Sequence, residues 1–416
     1  MLKIAVIGAG ISGLSTAHFL KENNIHVVVF EKETTSGGLI RCRRINGSLF
    51  HICGGHVFNS KKKDVLDWFW SHFDEDKDFV RAERNASVIM DGKTIPYPIE
   101  NNFFLFEEHT QKSIISDLLS VHRDNEKSPQ NFKEFLNNTF GKTLYEKYFE
   151  PYNEKIWQSD LSDIPLSWLE GKLPTPSVSE MFFNNVNRIA EKTTVHSTFW
   201  YEKNNGSQFI ADSLSKEIDV RYSCEITEIR YVNHHWIIGG EDFDKVIFCG
   251  NIKELPYMLR NTDIDLSGYY DAIEGLKYHG TTAVFCEIDP NPFSWIYIPD
   301  KSLRCHRIIC TGNFAPSNNS DGKMTGTVEF TDEISIEDIK MQLSRAPFHP
   351  KYLTHHFSEY TYPIQDSQTR RMIESLKGKL SSKNLYFTGR FADWEYYNMD
   401  IAIAAAKKTV NNIIGL

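Results

Sequence analysis

The first forty residues constrain this chain more than any others. Lys3-Ile4-Ala5-Val6-Ile7 is a short apolar run with β-branched residues, which reads as a buried parallel strand. Gly8-Ala9-Gly10-Ile11-Ser12-Gly13 follows at once, then residues 14–20 with helical spacing. A second β-rich run, Val27-Val28-Val29-Phe30, ends in Glu31 and Lys32. Gly8 permits the tight strand-to-helix turn, Gly10 lets the backbone approach a pyrophosphate, and Gly13 lets helix and strand pack closely. The helix N-terminus offers free N–H groups and a positive dipole end to phosphates. Glu31, eighteen residues after Gly13, can accept hydrogen bonds from a ribose diol. A glycine-rich turn alone would be weak evidence. Strand, turn, helix, strand and acid in this order predict a dinucleotide-binding unit.

Composition narrows the partners. The 416 residues suggest two or three domains, and 41% hydrophobic content is ample for a core. Lys and Arg number 46 against 55 Asp and Glu, a formal charge of −9, which argues against nucleic-acid binding. It leaves room for a local cationic pocket. Seven scattered cysteines without a CxxC read as free thiols in a reducing, cytoplasmic setting. No run approaches the ~18 apolar residues of a membrane span.

Further along, Cys53-Gly54-Gly55-His56-Val57-Phe58 suggests backbone packed closely on something flat. Residues 64–73 have amphipathic helical spacing, and residues 88–95 read as a hairpin turning at Asp91-Gly92. Pro96-Tyr97-Pro98-Ile99-Glu100-Asn101-Asn102 is a stiff extended segment. Residues 103–187 read as mostly helical, with a helix start at Ser128-Pro129 and a capping box at residues 143–146. Residues 218–222, 225–232, 236–238 and 244–250 read as strands, and 251–260 as a helix. Tyr278–Ile288 opens a third region, where residues 294–300 and 305–309 look like two strands of one antiparallel sheet. Residues 312–326 form a polar loop, and His234-His235 and His355-His356 read as solvated loop residues without metal-ligand spacing. The chain closes on Asn384-Leu385-Tyr386-Phe387-Thr388-Gly389-Arg390, then Trp394-Glu395-Tyr396-Tyr397-Asn398-Met399-Asp400, then a helix over 401–414.

Several of these blocks carry a family resemblance. Gly37-Gly38-Leu39-Ile40-Arg41 resembles the Gly-Gly…Arg segment of a flavoprotein group. That group includes amine oxidases, protoporphyrinogen oxidases, phytoene desaturases and UDP-galactopyranose mutases, and the resemblance implies FAD. The Gly54-Gly55-His56 loop, the Pro96–Asn102 run, Pro151-Tyr152-Asn153-Glu154-Lys155-Ile156-Trp157, residues 166–174 and the C-terminal stretch narrow it to the mutases. Tyr297 and Arg307 keep the mutase spacing of ten residues. Two positions depart from the family pattern: Lys172 stands where the mutases carry an arginine, and Asn398 replaces an aspartate.

The resemblance implies an α/β fold. An FAD-binding Rossmann-like domain is expected from 1–95, 195–265 and 376–416, with an inserted helical domain at 96–194 and an antiparallel substrate sheet at 266–375. FAD is expected against Gly8, Gly10, Ser12, Gly13, Glu31, Lys32, Gly38, Leu39, Arg41, Gly55, His56, Val57, Gly389, Arg390, Asn398, Met399 and Asp400. A nucleotide sugar is expected against Tyr97, Tyr152, Trp157, Lys172, Tyr297, Arg307 and Tyr396, with His56, Arg307 and Arg390 as catalytic residues. The implied activity interconverts pyranose and furanose forms of a UDP-sugar, UDP-galactose first, through a bond between the sugar and N5 of reduced flavin. That chemistry serves cell-surface polysaccharide synthesis, with NAD(P)H as an external reductant. The alternatives are an FAD-dependent oxidoreductase of the amine oxidase type and an inactive binding module. Whether the chain forms a homo-oligomer is open.

Overall fold

The computed structural model describes residues 2–124, 128–166, 176–189, 197–366 and 368–415. Its first layer is a five-stranded parallel sheet. The strand order is Leu385–Phe387, Lys245–Phe248, Lys3–Ile7, His26–Phe30 and Asp219–Arg221. Alternate side chains of a strand point to opposite faces. Ile4, Val6, Val27 and Val29 therefore pack under the helices Ile11–Glu22 and Met399–Ile414. Ala5, Val28, Val246 and Phe248 pack on the other face, against Trp236, Trp394 and Leu376. Both faces being covered explains the unbroken apolar runs.

The second layer is a seven-stranded sheet. Its order is Lys351–Pro363, Tyr278–Ile288, Met324–Thr331, Arg307–Ile309, Trp295–Tyr297, Ala86–Met90 and Lys93–Pro96. Its neighbours are antiparallel except at one place, where Trp295–Tyr297 runs parallel to Ala86–Met90. That junction draws in the hairpin at Asp91-Gly92, whose two turn residues both take positive φ, 49° and 70°, as a type I′ turn requires. The sequence division at residue 95 had set this hairpin with the nucleotide unit. Its pairing puts it in the seven-stranded sheet. The helices Phe132–Leu144 and Glu150–Trp157 share one core with this end of the sheet, through Leu136, Phe140, Trp157, Val88, Trp295 and Tyr297.

Local signals misled at several points. The helix expected at Ser128-Pro129 starts instead at Phe132, where the Asn131 side chain accepts from the Glu134 N–H. Thr143 caps nothing; its N–H and hydroxyl both donate to Asp117 Oδ2 at 2.7 Å. The capping box lies at Ser177 and Glu180. The strand expected at 225–232 is confined to Arg230–Val232, and the helix at 251–260 is two short pieces, Ile252–Glu254 and Leu255–Met258. His355 and His356 lie within the Lys351–Pro363 strand rather than in a loop. The 312–326 loop gives way to strand at Met324, and Asn318 within it is fully buried, donating to Thr311 O and Tyr201 Oη. All seven cysteines are unpaired. Among the described residues no helix is long and apolar enough to cross a membrane.

Candidate functional site

The nucleotide end is built by glycines that exclude side chains. A Cβ on Gly13 would lie 1.8 Å from Gly8 O, so helix and turn could not pack. Gly10 precedes the helix Ile11–Glu22 and pairs with Gly37, and Gly38, at φ 54°, would bring a Cβ within 3.3 Å of the Gly10 Cα. Gly389, at φ 122°, abuts Ser12, so the last segment of the fold meets the first turn. Glu31 is buried; its two oxygens accept from Ala9 N–H at 2.7 Å and Glu33 N–H at 2.9 Å, which fixes the turn. Arg41 bonds Gly38 O and pairs with Glu33 at 3.3 Å. Lys32 is exposed and Leu39 half-buried. Asn398 stands at the N-terminus of Met399–Ile414, while Asp400 is buried and accepts from Ser60 Oγ at 3.0 Å. Two glycine turns back to back, beside free helix N–H groups, fit a dinucleotide pyrophosphate.

Beside this cradle lies the histidine loop. Gly54 takes φ 67°, and a Cβ on Gly55 would meet Ile309 at 2.7 Å, so the loop lies flat on the Arg307–Ile309 strand. Val57 is half-buried beside His56. Burial first, then the neighbouring His51, Arg390 and Arg307, push the His56 pKa down to about 3. Its Nε2 is buried without a hydrogen-bond partner. The three residues expected to be catalytic therefore converge here. Arg390 spends Nε, Nη1 and Nη2 on the carbonyls of Tyr397 and Thr361 and lies 4.5 Å from the Tyr396 ring.

Tyr297 and Arg307 face each other in register on adjacent strands. Around them gathers an aromatic wall. The Tyr97 and Tyr152 rings lie 5.2 and 5.4 Å from Tyr297, and Tyr148 stacks on Tyr152 at 5.5 Å. Trp157 packs edge-on to Tyr362 at 6.2 Å, and Tyr362 stacks on Tyr396 at 5.6 Å. Burial holds the Tyr152 phenol well above its ordinary pKa, with Tyr297 adding to it. Lys172 lies outside the described residues.

Residues beyond the expected set complete the cleft. Glu329 is fully buried; its Oε1 accepts from Gly54 N–H at 2.9 Å and its Oε2 from Arg307 Nε. Burial opposes the Arg307 charge, and Glu329 overrides it, holding that pKa above its ordinary value. Tyr362 Oη accepts from Arg307 Nη2 at 3.1 Å. Lys155 is buried, and its Nζ donates to the carbonyls of Ile298, Asp300 and Cys305 at 2.7, 2.6 and 3.1 Å. It thereby fastens the turn between Tyr297 and Arg307 to the helix bearing Tyr152. Burial lowers its pKa to about 8. Among the described residues no His, Cys, Asp and Glu cluster could hold a metal ion.

A family model for an NAD(P)-binding Rossmann-like domain matches residues 6–73. The crystal structure of a reduced UDP-galactopyranose mutase superposes with a TM-score of 0.88, covering 100% of this chain and 96% of that one at 22% identity. The fold is that of a UDP-galactopyranose mutase. The likeness extends along the sequence. The UDP-galactopyranose mutase of Mycoplasma genitalium is 21% identical over 99% of this chain and 94% of its own. The dTDP-fucopyranose mutase of Escherichia coli is 22% identical over 98% and 97%. The chain is thus UDP-galactopyranose mutase-like from end to end, and its mutase-like fold brings a dinucleotide cradle against an aromatic, arginine-bearing cleft.

Proposed function

We propose that this chain is an FAD-dependent nucleotide-sugar mutase that interconverts pyranose and furanose forms of a UDP-sugar, UDP-galactose first, for surface polysaccharide synthesis. The observation that carries the reading is the cleft wall. Tyrosines and arginines meet the histidine loop where an oxidase of the same fold would want an apolar tunnel. Reduced FAD, held by the Gly8–Gly13, Gly37–Gly38 and Gly389 turns, would supply the electron pair for the anomeric carbon as the diphosphate leaves. The protein's share is positioning and charge stabilisation. Tyr152 and Trp157 offer flat faces to a nucleoside. Tyr297, Arg307 and Tyr396 offer donors to the diphosphate, with Lys172 as a second cation. Arg390 stands beside Tyr396 at the far end of the wall, and its charge reaches His56. A neutral His56 presents a face and a lone pair to the flavin without adding positive charge. No side-chain nucleophile with an adjacent base is needed.

Anaerobic incubation with UDP-galactofuranose, with and without dithionite, tests this. UDP-galactopyranose appearing only with reductant is the expected result. No conversion by a yellow, reducible protein would remove UDP-galactose as substrate. dTDP-fucofuranose is the next to try, since a full-length relative is named for dTDP-fucose. Oxygen consumption without isomerisation would favour an oxidoreductase.

A further inference from the structure

Arg84 sits in the short link between the strands Phe79–Glu83 and Ala86–Met90, in a charged run that marks it as nothing special. The backbone holds it rigidly. Its N–H donates to Ser197 O at 2.9 Å, and the next residue, Asn85, is bonded to Ser294 in both directions, at 2.9 and 2.7 Å. The side chain therefore has one way to go, over the aromatic floor of the cleft. Its guanidinium carbon lies 5.0 Å from the Trp295 ring centre, 5.4 Å from Tyr97 and 5.9 Å from Tyr297. Nη2 donates to the Tyr297 hydroxyl, and Nε is buried without an acceptor.

A guanidinium stays charged in proteins, and a buried charge without a counter-ion is costly. The cleft's other arginines are compensated. Arg307 is paired with the buried Glu329, and Arg390 ends on three carbonyl contacts. Among the described residues no carboxylate lies within ion-pairing distance of Arg84, whose charge is met only by a phenol and ring faces. Among the described residues, Arg84 is thus the cleft arginine whose side chain has neither a carboxylate nor a carbonyl partner. Tyr297 joins it to Arg307, which lies opposite in the sheet register.

We propose that Arg84 is the principal anion-binding residue of this cleft, taking the phosphate oxygens of a diphosphate-bearing ligand with the Tyr297 hydroxyl beside it. The proposal deepens the nucleotide-sugar reading and rests on it for the ligand's class. It moves the leading role from Arg307, whose Nε is already held by Glu329 and whose Nη2 is held by Tyr362. The planar fork of Arg84 can take two oxygens at once, and the three aromatic rings hold it in place.

Calorimetric titration of the flavin-loaded protein with inorganic pyrophosphate, UDP and uridine tests it, in the wild type, Arg84→Gln and Arg84→Lys. Arg84→Gln is expected to weaken pyrophosphate and UDP at least tenfold and leave uridine unchanged. Arg84→Lys, which keeps the charge but loses the fork, is expected to weaken both by a few-fold. Undiminished pyrophosphate binding in the variants, or none in the wild type, would overturn the proposal. So would an equal loss for uridine and UDP, which would mark a structural role. If Arg84→Gln does not fold, an unchanged Arg84→Lys overturns it alone. UDP that fails to displace pyrophosphate from the wild type would instead sink the nucleotide-sugar reading and leave Arg84 as an anion site.

Discussion

Replacing Lys155 by methionine would remove one buried cation and little volume. The ammonium serves three carbonyls, of Ile298, Asp300 and Cys305. An orphaned buried acceptor costs about 1–3 kcal/mol, so three set an upper bound of about 9 kcal/mol. Two effects reduce that. The wild type bears the desolvation of the charge, seen in its lowered pKa, and water can reach part of the gap. Taking about 1–1.5 kcal/mol for each orphaned carbonyl gives about 3–5 kcal/mol, and that is the range expected here. With 416 residues and about 2.1 cal/mol/K per residue, the unfolding entropy is about 0.9 kcal/mol/K, so Tm should fall by about 3–6 °C. The turn carrying Tyr297 and Arg307 would loosen with it, so KM for the nucleotide sugar should rise more than kcat falls. Calorimetry with steady-state kinetics reads both. A Tm shift below about 1 °C, with KM unchanged, would refute the view that Lys155 fastens the substrate arm to the helix.

Other consequences are as testable. Gly13→Ala would force the helix off its turn, so the variant should purify without bound flavin, seen as a lost visible absorbance. Burial lowers His51 and His56 to about 3, from 6.5 when exposed. The unfolded chain then binds more protons at these two groups between these values, so their contribution to stability should be flat above pH 6.5 and fall as pH drops from 6.5 towards 3, as urea midpoints would show. His51→Gln with His56→Gln should flatten that slope. Glu329→Gln would leave Arg307 buried without its counter-charge, costing about 3–5 kcal/mol by denaturant titration; a loss below 1 kcal/mol would show that the pair is not a working one.

What the sequence makes legible here is what the chain builds among near neighbours. The run from Lys3 to Glu31 is one βαβ unit, and Gly10 and Gly13 answer to contacts within that unit or its adjoining loop. Tyr297 and Arg307 could be paired because their spacing matches the one the mutases carry. Arg84 and Glu329 could not be found this way. Neither stands in a block that the sequence singles out. Their meaning arises only when the sheet order sets the Met324–Thr331 strand beside Arg307–Ile309, and Trp295 beside Ala86. The false capping signal at Thr143 failed for the same reason. A hydroxyl near a helix end has a local partner by pattern, yet Thr143 found Asp117, twenty-six residues away.

Glu329 has one more consequence. A single carboxylate holds the amide of Gly54 with one oxygen and the guanidinium of Arg307 with the other. The histidine loop and the Arg307–Ile309 strand therefore share one anchor. Any ligand that draws Arg307 off Glu329 changes the hold on Gly54, and any event that repositions the loop changes the availability of Arg307 by the same free energy. Occupancy on one side of the cleft would then be felt on the other through two hydrogen bonds.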